Sequence, residues 1–181
     1  YAKSGEVRLR ITAKAETADE ADRMCAPVVD EICSRLGDVV YGTDMNSIEE
    51  RVVALLKEKG KKIATAESCT AGYIPKRLTD IPGASEVFEC GIVSYSNDIK
   101  MKLLGVSPKT LETYGAVSEQ TAREMALGAK RVSGADIAIS TTGLAGPGGD
   151  GVLPGGLSFA AVTDGERTVV EKIVTGHEND R

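Results

Sequence analysis

Between Lys62 and Thr175, short apolar runs of strand length alternate with segments of helical period, and the last two runs are joined by little more than the turn pair Asp164-Gly165. That order leaves few folds open. Strands separated by helices pair in parallel through crossovers, whereas strands joined by a tight turn pair antiparallel. The pattern therefore predicts a three-layer α/β/α fold with a mixed, mainly parallel sheet.

The expected elements follow from capping and period. A helix runs from the capping box Ser47-Ile-Glu-Glu50 to Gly60, with Ile48, Val52, Leu55 and Leu56 as its buried stripe. A strand at 62–66 and a helix reaching Thr79 come next, then a Pro82-Gly83 turn and a strand at 91–94. Asn97 or Asp98 caps a short helix ending near Leu104. Ser118 caps a longer one, with Ala122, Met125, Ala126 and Ala129 inward and Gly134 past its end. Strands at 135–141, 157–163 and 167–175 complete the set, the last two forming a hairpin.

Ahead of this lies a smaller pattern. Residues 6–13 alternate Val7, Leu9 and Ile11 with polar neighbours, as a half-buried strand does. Thr17 caps a helix with Ala21, Met24, Val28, Ile32 and Leu36 on one face, ended by Gly37, and Pro27 predicts a kink or break within it. A short strand at 39–41 follows. The predicted division is a partial β-α-β segment at 1–43, the tail of a preceding domain, and a full domain at 44–181. The chain opens on Tyr1 and stops at Arg181 with no element after its last strand, which reads as a piece of something longer.

A net charge of -5 gives no basic footprint for nucleic acid, and every apolar run is shorter than the roughly 20 residues a membrane helix needs. The expectation is a soluble, cytoplasmic protein. Cys25, Cys33, Cys69 and Cys90 lack C-x-x-C spacing, and with His177 as the sole histidine neither a zinc cage nor a disulfide scaffold is expected. Neither metal nor cofactor is called for.

In open α/β sheets, ligands gather beyond the carboxyl ends of the strands. Three such ends carry chemistry: Ser68-Cys69-Thr70, Tyr95-Ser96-Asn97 with Lys100, and the glycine-rich 142–156. Ser68 is either a helix cap or a nucleophile flanked by free N–H groups that hold an oxyanion. Cys69 is its rival nucleophile or simply packing. A serine nucleophile needs a base, and a buried lysine serves because burial disfavours its charged form. Lys100 is that base or a solvated helix lysine, and Tyr95 either steers the pair or sits at a strand edge. Thr142 offers a hydroxyl to a substrate carbonyl unless its glycine-rich loop is a plain connector, and Arg181 offers a fork for a phosphate or is simply a solvated terminal residue. The loop lacks the G-x-x-x-x-G-K-[ST] pattern of a P-loop.

Taken together, "ATAESCTAG", "LTDIPGASEVF", "GIVSYSNDIKMKLLGV", "YGAVSEQTAREMA" and "TTGLAGPGGDG" resemble the carboxyl-terminal domain of the competence/damage-inducible CinA family, which includes nicotinamide-nucleotide amidases. The likeness spans residues 47–181 in order and spacing. Residues 1–42 resemble the KH-like segment that precedes this domain, although no G-x-x-G loop occurs there.

The resemblance implies hydrolysis of the carboxamide of nicotinamide mononucleotide to nicotinic acid mononucleotide and ammonia, in pyridine-nucleotide salvage. It places the nucleophile on Ser68, the base on Lys100 and assistance on Tyr95, and it assigns substrate contacts to Thr142, Gly143, Ala145, Gly146, Cys69, Thr70, Asn97 and Arg181. A small-molecule nucleotide is the expected partner, with no nucleic acid and no membrane, and a homodimer is the expected assembly. The alternative is a nucleotide-binding or regulatory module without turnover. Three departures stand out: Leu153-Pro-Gly-Gly-Leu157 where relatives have Lys-Pro-Val-Gly-Thr, Pro75 in a helix that relatives leave uninterrupted, and the absence of the family's last helix.

Overall fold

The computed structural model describes residues 1–175 except Ser4, Pro147 and Asp150. The chain divides into two compact units, Tyr1–Ile48 and Glu49–Arg181.

In the first unit, β1 (Ala2–Lys3) and β2 (Glu6–Val7) form a minimal antiparallel pair, and α1 spans Ala18–Leu36. Thr17 caps α1 as expected, its hydroxyl accepting from the Glu20 N–H at 3.2 Å. Other expectations fail. The strand over 6–13 survives only at Glu6–Val7, and 39–41 is no strand, since Gly37–Val39 is a single 3-10 turn. Alternation marks a potential strand, but without a partner ladder the backbone has no reason to stay extended. Pro27 does not break α1, which continues through it. None of α1 is buried, and Met24 and Val28 are about half exposed, so its apolar stripe is not the inner face that its period suggests.

The second unit holds the site. Its elements are α2 (Ile48–Glu58), β3 (Ile63–Glu67), α3 (Tyr73–Thr79), β4 (Phe88–Val93), α4 (Asn97–Leu104), α5 (Pro108–Tyr114), α6 (Glu119–Ser133), β5 (Ile137–Gly143), β6 (Leu157–Thr163) and β7 (Thr168–Val174). The sheet order is β4-β3-β5-β6-β7, with β4, β3 and β5 parallel and β6 and β7 antiparallel. This is the mixed α/β sheet that the element order predicts.

Alternation along the buried strand β3 separates two cores. Ile63 joins Val53 and Leu56 of α2, Leu78 of α3, Ala84 and Val87 on one face. Ala66 joins Leu104, Val106, Met125, Ala129 and Ala138 on the other. Ala122 and Ala126 of α6 then close over Ala161 of β6. Small residues on the inner face of α6 let it lie close to the sheet, which is why Ala122, Met125, Ala126 and Ala129 are all fully covered.

α5 is absent from the sequence-based expectations, although Ser107-Pro108 marks its start, with Pro108 in the first turn where its missing N–H costs nothing. Pro75 is third in α3, within the first turn, so it does not interrupt the helix ladder. The β6–β7 loop has four residues, Asp164 to Arg167. The Asp164 carboxylate accepts from the Glu166 and Arg167 N–H groups at 3.0 and 2.7 Å, and these bonds hold its pKa below the usual carboxylate range.

One close approach fixes the helix that carries Lys100. A Cβ at Gly128 of α6 would stand 2.1 Å from the Leu104 carbonyl oxygen at the end of α4. Backbone cannot yield there as a side-chain tip can. Gly128→Ala is expected to cost about 1–3 kcal/mol, read as a lower urea midpoint at unchanged m-value; a midpoint equal to wild type would show that the two helices part freely.

No described helix is long and apolar enough to cross a membrane.

Candidate active site

Because β4, β3 and β5 are adjacent and parallel, their carboxyl ends open on one side of the sheet. Ser68 follows β3, Lys100 lies in α4 just beyond β4, and Thr142 lies near the end of β5. They line one crevice of about 320 Å³ with Cys69, Tyr95, Gly143, Ala145 and Gly146. That volume is at the lower end of the range for small-molecule sites.

The turn after β3 is tightly specified. The Ser68 N–H donates to Thr141 O at 3.0 Å, and the Thr70 and Thr141 hydroxyls share a hydrogen bond of 2.6 Å. Ala71 adopts φ +50° and Gly72 φ +96°. A left-handed alanine costs about 1–2 kcal/mol, so neighbouring contacts must hold it there.

Lys100 is 1% exposed, and its Nζ lies 3.0 Å from Ser68 Oγ, 2.8 Å from Ser94 O and 3.2 Å from Tyr95 O. Burial pushes its pKa below the usual lysine value, against a smaller opposing effect of Cys69. A neutral amine has two N–H donors and one lone pair. With the donors taken by the two carbonyls, the lone pair is left for the serine hydroxyl. The Ser96 hydroxyl, rather than Asn97 or Asp98, caps α4 by accepting from Ile99 N–H at 3.3 Å.

The other expected residues divide. Tyr95 lines the crevice but is 74% exposed, and its phenol bonds neither Ser68 nor Lys100; its carbonyl holds the amine instead. Thr142 is buried and donates its hydroxyl proton to Ala116 O at 2.6 Å, so it faces a ligand as an acceptor, not as the donor its residue type suggests. Thr70 is turned to Thr141 and does not line the crevice. Asn97 is exposed and also lies off it. Arg181 and His177 fall outside the described residues.

Cys69 sits in the wall of the crevice. Burial raises its pKa, while its own N–H and that of Thr70, which point to the sulfur, lower it. The thiol stays protonated near neutrality and is not an activated nucleophile. Neither N–H is bonded to a backbone carbonyl among the described residues, and both are directed to the Cys69 sulfur at the start of the turn. Ala116, Val117, Leu144 and Gly149 also line the crevice, a contribution sequence reasoning missed. The quoted "YGAVS" contained two of them, but nothing in its composition shows that the loop before α6 folds over the end of β5. Gly155 has a structural reason here: a Cβ there would stand 2.4 Å from Gly146 O, so the two passes of the glycine-rich loop touch backbone to backbone.

Fold and site together define an open α/β protein with a buried serine-lysine pair at the carboxyl ends of its parallel strands. Residues 45–181 match the CinA C-terminal domain and residues 1–42 the damage-inducible protein CinA KH domain. The chain belongs to the CinA family. It is 45% identical over 182 residues to a CinA-like protein of Kosmotoga olearia, covering 100% of this chain and 44% of that protein. It is 46% identical over 181 residues to a CinA-like protein of Dictyoglomus turgidum, covering 99% and 44%. The chain thus spans less than half the length of these relatives. Among solved structures it is similar to the competence/damage inducible protein CihA from Agrobacterium tumefaciens, with a TM-score of 0.69 and 41% identity over 75% of this chain and 85% of that one. It is also similar to the CinA superfamily protein from Enterobacter cloacae, at 0.70 and 31% over 77% and 85%.

Proposed function

We propose that the second unit hydrolyses the carboxamide of nicotinamide mononucleotide, giving nicotinic acid mononucleotide and ammonia. The observation that carries this reading is the buried Lys100 amine 3.0 Å from the Ser68 hydroxyl, with carbonyls occupying its other two positions. Ser68 Oγ attacks the amide carbon as its proton passes to Lys100 Nζ. The carbonyl oxygen becomes an oxyanion, for which backbone N–H groups of the turn after β3 are the expected donors once the substrate is seated. Lys100 then gives the proton to the amide nitrogen, the C–N bond breaks and ammonia leaves a Ser68 ester. Water attacks that ester with Lys100 again as base, and the acid departs with Ser68 restored. Thr142 Oγ1, committed as an acceptor, suits the N–H₂ of a carboxamide better than its oxygen.

Ammonia release from nicotinamide mononucleotide, compared with free nicotinamide and the dephosphorylated riboside, tests the reading. Turnover of the mononucleotide well above the other two supports it. Tight binding of the mononucleotide in calorimetry with no ammonia released would instead leave a nucleotide-binding module.

The neighbouring thiol provides a control. Cys69→Ala is expected to keep activity within about threefold of wild type, because a protonated thiol contributes no attack. Loss comparable to that of a Ser68 variant would transfer the nucleophile's role to the sulfur.

A further inference from the structure

We propose that Glu67 is a positioning residue: its buried carboxylate clamps the far side of the Ser68 turn and so fixes how the serine hydroxyl meets Lys100. This rests on Ser68 and Lys100 being the reacting pair. Glu67 is the last residue of β3 and is 1% exposed. Its Oε2 accepts from the N–H groups of Gly72 and Ile74, each at 3.2 Å. Those two groups bracket the start of α3, where an unpaired donor would otherwise be left without a partner.

The turn thus closes on both sides. Ala71 N–H returns to Ser68 O at 3.1 Å, Ala71 is held at φ +50°, and the carboxylate fastens the next residue. The main chain of Glu67 reaches the other half of the pair. Its carbonyl accepts from Ser94 N–H at 2.7 Å, and the Ser94 carbonyl in turn accepts from Lys100 Nζ at 2.8 Å. One residue therefore joins the turn that carries the serine to the strand end that seats the amine.

The carboxylate is not placed for stability alone. Its second oxygen, Oε1, is buried with no hydrogen-bond partner among the described residues. A buried acceptor left unmade is a cost that a residue serving only the fold would avoid. An acceptor that reaches two N–H groups across the turn is what that cost secures, and aspartate, one methylene shorter, cannot span the same distance from the strand end.

The test measures amide exchange at Gly72 and Ile74, steady-state kinetics and melting temperature in Glu67→Ala, Glu67→Asp and Glu67→Gln, using the 181-residue protein. In Glu67→Ala, exchange at both amides is expected to quicken by about 30-fold or more as their acceptor is lost. The same variant is expected to lose about 30-fold or more in kcat with KM within about threefold, since a displacement near 1 Å is enough for such a loss. Glu67→Gln keeps an acceptor oxygen at the same reach and is expected to recover kcat to within about fivefold of wild type, above Glu67→Asp. The pH limb of kcat/KM is expected to stay in place in every variant.

Should Glu67→Ala not fold, the ranking of Gln above Asp carries the decision. A folded Glu67→Ala with wild-type kcat, a Gln variant no better than Asp, or a displaced pH limb would each overturn the positioning role. Unchanged exchange at Gly72 and Ile74 in Glu67→Ala would overturn the clamp by itself. That last measurement decides the clamp even in a wild-type protein that releases no ammonia, so failure of the amidase reading is told apart from failure of this one.

Discussion

Ser68→Ala is expected to reduce amide hydrolysis by at least ~10⁴-fold while leaving substrate affinity within a few-fold, because losing the nucleophile removes the covalent route and little of the binding surface. No substitute stands nearby. Cys69 is held as a thiol by its burial, and the Thr70 hydroxyl is engaged with Thr141 on the far side of the turn. Ammonia release and calorimetry on the same preparation separate the two effects. An alanine protein that still turned over at a tenth of the wild-type rate would show that attack does not come from position 68.

Lys100→Met is expected to cost ~100-fold or more in kcat, the usual loss for a general base, and to remove the pH dependence that the base imposes. On the proposed mechanism the amine must be neutral to accept a proton, so kcat/KM is expected to rise with pH through the Lys100 pKa. Burial lowers that pKa, and the limb is expected below the ordinary lysine range. The pH limb is therefore the diagnostic. A rate that rises only where free lysine titrates, near 10.4, would contradict a buried base.

Stability carries the same signature with a definite sign. Between the lowered native pKa and the unfolded value near 10.4, the unfolded chain holds a proton on Lys100 that the native protein has released. More protons in the unfolded state means that stability rises with pH across that window. Below it, the native protein carries the full burden of a buried ammonium. Urea midpoints measured through the window are expected to show this rise in the wild-type protein and to lack its Lys100 component in Lys100→Met. Equal slopes in the two proteins would place the amine in contact with solvent.

How much of this was legible in the chain can be judged residue by residue. α6 was fully so: Ser118, the apolar positions at steps of three and four, and Gly134 are local signals that act within one helix. The strands at 63–67 and 137–143 were legible to within one or two residues, because a buried parallel strand between two helices writes itself as an unbroken small or apolar run. The first unit was misread for the opposite reason. Alternation at 6–13 promises a strand only if another backbone pairs with it, and pairing is not a local property.

The site shows the same division. Ser68 and Lys100 were found by position at strand ends and by family likeness, and the structure brings their side chains together. What each neighbour does with its polar atoms was out of reach. Tyr95 meets Lys100 through its carbonyl rather than its phenol, Thr142 spends its proton on Ala116, and Asn97 does not line the crevice.

By itself, the sequence determined the order of strands and helices, their caps, and which strand ends carry a hydroxyl, an amine and a glycine-rich loop, since period, capping and turn chemistry operate over a few residues. Only the tertiary structure decided which of those groups share hydrogen bonds. The order β4-β3-β5 sets Ser68 beside Lys100, and the burial that results is what makes a lysine able to act as a base. Both depend on backbone segments far apart in the chain meeting at a fixed register, and no stretch of residues read alone contains that information.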